Sequence, residues 1–131
     1  MGPVDTQVKH VFVYGTLRPG DVRWRHLEPF VVDEGWDDTI IGRLFDTGLD
    51  YPAALLDDRA ESGGVIRGRT YALIESSMRQ CLAVLDREED TVGGRYRRIA
   101  IDTSSGTRAW VYEYGDGLDL VPIPSGDWFV R

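Results

Sequence analysis

Four acids lie within LDREED, residues 85–90, directly after an apolar stripe at helical spacing, Met78, Cys81, Leu82 and Leu85. At ~100° per residue, Glu89 falls within roughly 30° of the centre of that stripe, whereas Asp86 and Glu88 fall about 70 to 90° away. Glu89 is thus the acid aimed at the core. A carboxylate there needs a partner or a proton, and burial raises its pKa toward the range useful for general acid-base work. In the competing reading the helix has ended by Gly93, and Glu89 meets water or pairs with Arg95, Arg97 or Arg98. Acids at a helix C-terminus oppose the macrodipole, which suggests that something other than helix stability keeps them. The following GGRYRR can compensate their charge.

The second chemical feature is VFVYGTLRPG, residues 11–20, an apolar strand broken by two glycines and a proline. Gly15 and Gly20 have P-loop spacing, but Asp21 and Val22 stand where Lys and Ser/Thr are required, so nucleotide phosphate is disfavoured. Either this is an ordinary strand exit, or the N–H groups of Tyr14, Gly15, Thr16 and Leu17 converge as a nest for a carboxylate or oxyanion. Arg18 either reaches such a pocket or braces the loop. Tyr14, Tyr96 and Tyr112 sit on predicted strands, where they pack or line a pocket.

Other chemistry is poorly supplied. His10 opens the first strand and His26 precedes Pro29, both read as surface or packing residues, so Ser and Thr lack a partner base. Cys81 lies on the apolar stripe and reads as core. Two histidines and one cysteine disfavour a zinc site, and no metal is expected.

The elements that must position these residues are mostly strands. Residues 21–28 suit a short helix capped by Asp21 and stopped by Pro29. Residues 30–48 read as two strands or one bulged strand, 51–57 as a turn and short buried strand, and 65–74 as another strand. Ser76 or Ser77 is expected to cap the amphipathic helix. Residues 96–102 and 108–114 are expected to form a hairpin around TSSGT. The pattern predicts an α+β domain with a small curled or barrel-like mixed sheet.

A chain of 131 residues, 42% hydrophobic, fits one domain over residues 1–131. Its net charge of -7 argues against nucleic acid or an anionic membrane as partner. No apolar run approaches the ~18 residues of a membrane span. The single cysteine and the absence of a signal-peptide pattern suggest the cytoplasm. A myristoylation-like start lacks basic support. Oligomeric state is not legible.

Taken in order, YGTLR, LFDTGLDYPAALL, VIRGRTYAL, LDREE with RYRR, and SGDW resemble the gamma-glutamylcyclotransferase-like family, including its AIG2-like and BtrG-like members. The resemblance implies a small mixed β-barrel with flanking short helices, a cavity at the barrel's open end and a cofactor-free reaction on a small gamma-glutamyl substrate. In that reaction the substrate's own α-amine attacks the γ-carbonyl, releasing 5-oxoproline and an amine. It places the catalytic acid-base on Glu89 and the glutamyl-binding loop on Tyr14, Gly15, Thr16 and Leu17. Asp90 departs from the glycine often found after the glutamate. The alternative within the same fold is a non-catalytic domain that binds a small amine or amino acid.

Overall fold

The computed structural model describes residues 8–15, 24–46, 52–56, 64–88, 96–114 and 121–130. Among the described residues eight strands appear in chain order: β1 His10–Val13, β2 Trp36–Ile41, β3 Arg43–Asp46, β4 Pro52–Leu55, β5 Val65–Ala72, β6 Tyr96–Asp102, β7 Arg108–Tyr114 and β8 Val121–Pro122. The one α-helix among the described residues, α1 Met78–Glu88, lies between β5 and β6. A five-stranded sheet has the order β2-β5-β1-β7-β6, and a three-stranded sheet the order β4-β3-β8. β1 runs parallel to β7 and antiparallel to β5. The carboxyl ends of β1 and β7 therefore point the same way.

Alternation along the strands divides the interior in two. On one face of the large sheet, Val11, Val13, Tyr71, Trp110 and Tyr112 meet Met78, Cys81, Leu82 and Leu85 of α1, as the helical stripe predicts. On the other, Phe12, Tyr14, Ile66, Ala109 and Val111 pack with Ile40, Leu44, Ala54, Ile123 and Trp128. Burial pushes the Cys81 thiol up to about 12, consistent with a core role. Gly68 brings β1 and β5 close at the end that matters for the site. A Cβ there would lie 2.2 Å from the Val13 carbonyl oxygen and 2.6 Å from the Phe12 ring.

Several local expectations hold. β2 and β3 divide at Gly42, whose N–H donates to the Gly64 carbonyl at 2.9 Å. The hairpin has its expected bounds, and Gly106, at φ 85°, closes its turn with an N–H donated to Thr103 O at 2.9 Å.

Others are corrected. The two sheets are open, so the barrel is not formed: no ladder among the described residues joins β2 to β6. Instead, the β6–β7 turn clasps β2 through one backbone bond, Ser104 N–H to Thr39 O at 2.9 Å, and a set of hydroxyls around Asp38. A turn rich in Ser and Thr fastens one sheet edge without extending its ladder. The expected helix over 21–28 is, where described, two 3-10 turns, Trp24–His26 and Glu28–Phe30. Pro29 sits inside the second turn rather than stopping a helix, a position where its missing N–H is harmless. A further 3-10 turn, Glu75–Ser77, leads into α1, and the Ser77 hydroxyl donates back to Ile74 O at 3.4 Å. That hydroxyl serves the preceding turn rather than accepting from α1.

Candidate active site

The parallel pairing of β1 with β7 brings Tyr14 and Gly15 to the end of the hairpin where β6 begins and β7 finishes. The Tyr14 hydroxyl, on the inter-sheet face, donates to the backbone carbonyl of Tyr112. On the opposite face, the Tyr112 hydroxyl donates to Asp86 Oδ1 at 2.6 Å, in the last turns of α1. Tyr112 thus touches both the strand end that carries YGTLR and the helix that carries LDREE. The two motifs, more than 60 positions apart in sequence, meet through one residue.

Asp86 is further held by Arg98, whose Nε donates to Oδ1 at 2.9 Å and whose Nη2 donates to Oδ2 at 3.3 Å. The Arg98 side chain is only 2% exposed, and its guanidinium lies 4.5 Å from the centre of the Trp110 ring. Charge, fork geometry and ring face together make a tightly specified arrangement, of the kind in which a buried arginine suits better than lysine.

A second carboxylate occupies the other face of the same hairpin end. Glu113, 2% exposed, accepts Leu56 N–H on Oε2 at 2.9 Å. Its Oε1 takes Arg97 Nε at 2.8 Å and Nη2 at 2.5 Å. Because Arg97 pairs with Glu113 and Arg98 with Tyr112 in the β6–β7 register, successive arginines point to opposite faces. RYRR therefore supplies one cation to each carboxylate.

Of the residues expected from the sequence, Tyr14, Gly15 and Tyr112 converge here. The backbone of Tyr96 is also here, paired with Tyr114. Thr16, Leu17, Arg18 and Glu89 lie outside the described residues, as does the Tyr96 side chain. Glu89 follows Glu88, the last residue of α1, in sequence. Asp86, Arg98 and Glu113 were not singled out from the sequence. Asp86 does lie at the flank of the stripe, as helical spacing has it, but a flanking acid becomes buried when a neighbouring strand leans over it. An arginine two places after a strand's first tyrosine was the available signal. His10, whose pKa burial lowers, packs edge-on against Trp36 with ring centres 5.7 Å apart, a packing role as expected. Among the described residues no group of three or more His, Cys, Asp and Glu is placed to hold a metal ion. No helix there is long and apolar enough to cross a membrane.

Residues 11–130 match the family described as gamma-glutamyl cyclotransferase, AIG2-like. The chain belongs to that family. It is 37% identical to a protein of Vibrio cholerae that bears a provisional gamma-glutamylcyclotransferase name, over 92% of this chain and 96% of that one. It is 28% identical, over 91% of this chain and 74% of the other, to the gamma-L-glutamyl-butirosin B gamma-glutamyl cyclotransferase of Niallia circulans. Its fold is similar to that of an uncharacterised protein of Pyrococcus horikoshii, with a TM-score of 0.66 at 23% identity, covering 92% of this chain and 89% of that one. The family is one of enzymes acting on small gamma-glutamyl substrates. Membership also explains why the motifs around Gly15 and Asp86 occur together in one chain.

Proposed function

We propose that this protein is a cofactor-free cyclotransferase that cleaves a gamma-glutamyl amine or amide and releases 5-oxoproline. One observation carries the reading: Tyr112 joins the strand end preceding the glutamyl-binding loop to the helix preceding Glu89. The two halves of the reaction's machinery, one that holds the glutamyl group and one that moves protons, are thereby anchored to a single point.

In this mechanism the loop of Tyr14, Gly15, Thr16 and Leu17 binds the glutamyl group through backbone donors and holds it folded. Glu89, as general base, accepts a proton from the α-ammonium. The freed α-nitrogen attacks the γ-carbonyl carbon, forming the lactam C–N bond as the bond to the leaving nitrogen breaks. Over the cycle two protons pass from the α-nitrogen to the leaving nitrogen, with Glu89 returning as general acid. The products are 5-oxoproline and an ammonium. Ring closure profits chiefly from proximity, because nucleophile and carbonyl belong to one molecule. The proton transfers contribute typically 10²–10⁴-fold. Arg18 and Tyr96 are assigned to substrate binding. The substrate site is placed in the cytoplasm, the compartment that suits a chain with one buried free thiol.

The test is a panel of gamma-glutamyl amines, amino acids and aminoglycosides, with 5-oxoproline measured by mass spectrometry. Each active compound is repeated with its α-amine acetylated. Equimolar 5-oxoproline and amine from the free compounds, with none from the acetylated ones, is the expected result. Release of glutamate instead of 5-oxoproline would mean hydrolysis, and saturable binding without product would favour a non-catalytic domain.

A further inference from the structure

Tyr112 uses two different groups on two faces of the sheet. Its side-chain hydroxyl fixes Asp86 on α1, while its backbone carbonyl receives the Tyr14 hydroxyl from the inter-sheet core. Asp86 is in turn locked by both arms of the Arg98 fork, and Arg98 is immobilised over Trp110. Every link in this chain is buried or nearly so: the Asp86 side chain is 16% exposed and that of Arg98 2%. Asp86 lies three positions before Glu89 in sequence. Tyr14 lies directly before Gly15.

We infer that Tyr112, Asp86 and Arg98 form a positioning device that fixes the end of α1 against the end of β1, the two elements that lead in sequence into Glu89 and the glutamyl-binding loop. The inference rests on the cyclotransferase reading above and extends it. None of the three is a catalytic residue; each acts through a neighbour. The device is suited to this task because its bonds run across the hairpin rather than along it. A shift of α1 relative to β1 must break the Tyr112–Asp86 bond, the Arg98 fork or the Tyr14–Tyr112 bond. Since an error of ~1 Å in a reacting group can cost on the order of 10²-fold in rate, such a brace has kinetic value beyond stability.

This separates positioning from mere packing. A structural bond at this place would, when removed, lower the melting temperature and leave the turnover of the remaining folded protein unchanged. A positioning bond lowers kcat while KM moves little, because the ground-state contacts of the glutamyl group belong to the loop.

The experiment compares Tyr112→Phe and Arg98→Lys with Ser105→Ala, which removes a hydroxyl from a different buried carboxylate, Asp38, where the Ser105 hydroxyl donates at 2.8 Å. Steady-state kinetics are measured on the substrate that releases 5-oxoproline fastest. The expected result is a fall in kcat of about tenfold or more in Tyr112→Phe and Arg98→Lys, KM within about twofold, and wild-type kcat in Ser105→Ala. Wild-type kcat in both Tyr112→Phe and Arg98→Lys would overturn the inference. So would an equal loss in Ser105→Ala, which would mean that general destabilisation is being read. If the wild-type protein releases no 5-oxoproline from any substrate, the cyclotransferase reading fails by itself. The brace is then read by hydrogen exchange of the amides of residues 85–88. Tyr112→Phe must accelerate them while Ser105→Ala does not; unchanged exchange overturns the brace as well.

Discussion

The β6–β7 hairpin is held at both ends by buried carboxylates, and the two ends are held differently. At the turn, Asp38, 8% exposed, is satisfied by neutral donors: Thr70 Oγ1 at 2.8 Å, Ser105 Oγ at 2.8 Å and the Thr39 N–H at 2.9 Å. At the open end, Asp86 and Glu113 are satisfied by arginines, a tyrosine hydroxyl and one backbone N–H. Neutral donors stabilise a carboxylate by hydrogen bonding alone, and here they gather β5, β2 and the β6–β7 turn around one side chain. Arginines reach farther and tie separate elements together, here α1 to β6 and β7. The turn end fastens a sheet edge; the open end registers a helix against a strand. Only the second arrangement touches the motifs to which the proposed chemistry is assigned.

That contrast can be broken by mutation. The largest stability effect is expected from Arg98→Ala, which takes the arginine fork from the largely buried Asp86 carboxylate while the Tyr112 hydroxyl stays. Removing one partner of a buried pair typically costs ~3–5 kcal/mol, read by denaturant unfolding, and here kcat should fall as well. Next is Asp38→Ala, which leaves the Thr70 and Ser105 hydroxyls and the Thr39 N–H without their acceptor, a cost of about 2–3 kcal/mol by the same measurement. Turnover per folded molecule should survive it. Equal kinetic damage from the two variants would erase the distinction between the ends.

Acid sharpens the comparison further. Burial alone would raise the Asp38 carboxyl, but hydrogen bonds from Ser105, Thr103, Thr70 and the Thr39 amide outweigh it and hold the pKa below its ordinary value. A depressed carboxylate contributes stability that is present above the unfolded value near ~3.9 and lost as pH falls through the folded one. Protection of the amides of residues 103–107, relative to their intrinsic exchange rates, should therefore fall below about pH 4, and Asp38→Asn should remove that acid dependence. An acid response unchanged in Asp38→Asn would assign it to another group. The smallest effect is expected from Arg108→Ala near the same turn. Its exposed ion pair with Asp102, at 3.4 Å, should contribute no more than ~1 kcal/mol.

The sequence makes local features readable and leaves crossing contacts hidden. The stripe of Met78, Cys81, Leu82 and Leu85 and the hairpin around TSSGT are short-range patterns, and both are present as expected. Asp38 and Asp86 are different. Their partners lie 32 and 67 residues away for Asp38, and 12 and 26 away for Asp86, so no local period marks them. The barrel was misread for a related reason. Strand count and curvature are legible in alternation and glycines, but whether the first and last strands form a ladder depends on how a turn of hydroxyls meets β2. For the site, the meeting of β1 with α1 follows from a parallel β1–β7 pairing that only tertiary structure fixes. The roles proposed for Tyr14, Gly15 and Glu89 rest on the resemblance to the family's motifs, and that of Glu89 also on helical spacing.

The most direct test of the central claim is 5-oxoproline production by Glu89→Gln beside the wild-type protein. Each is assayed on the best substrate of the gamma-glutamyl panel, with circular dichroism confirming that both are folded. The account predicts a loss of kcat on the order of 10²–10⁴-fold with an unchanged melting temperature. A folded Glu89→Gln variant that turns over at the wild-type rate would contradict it.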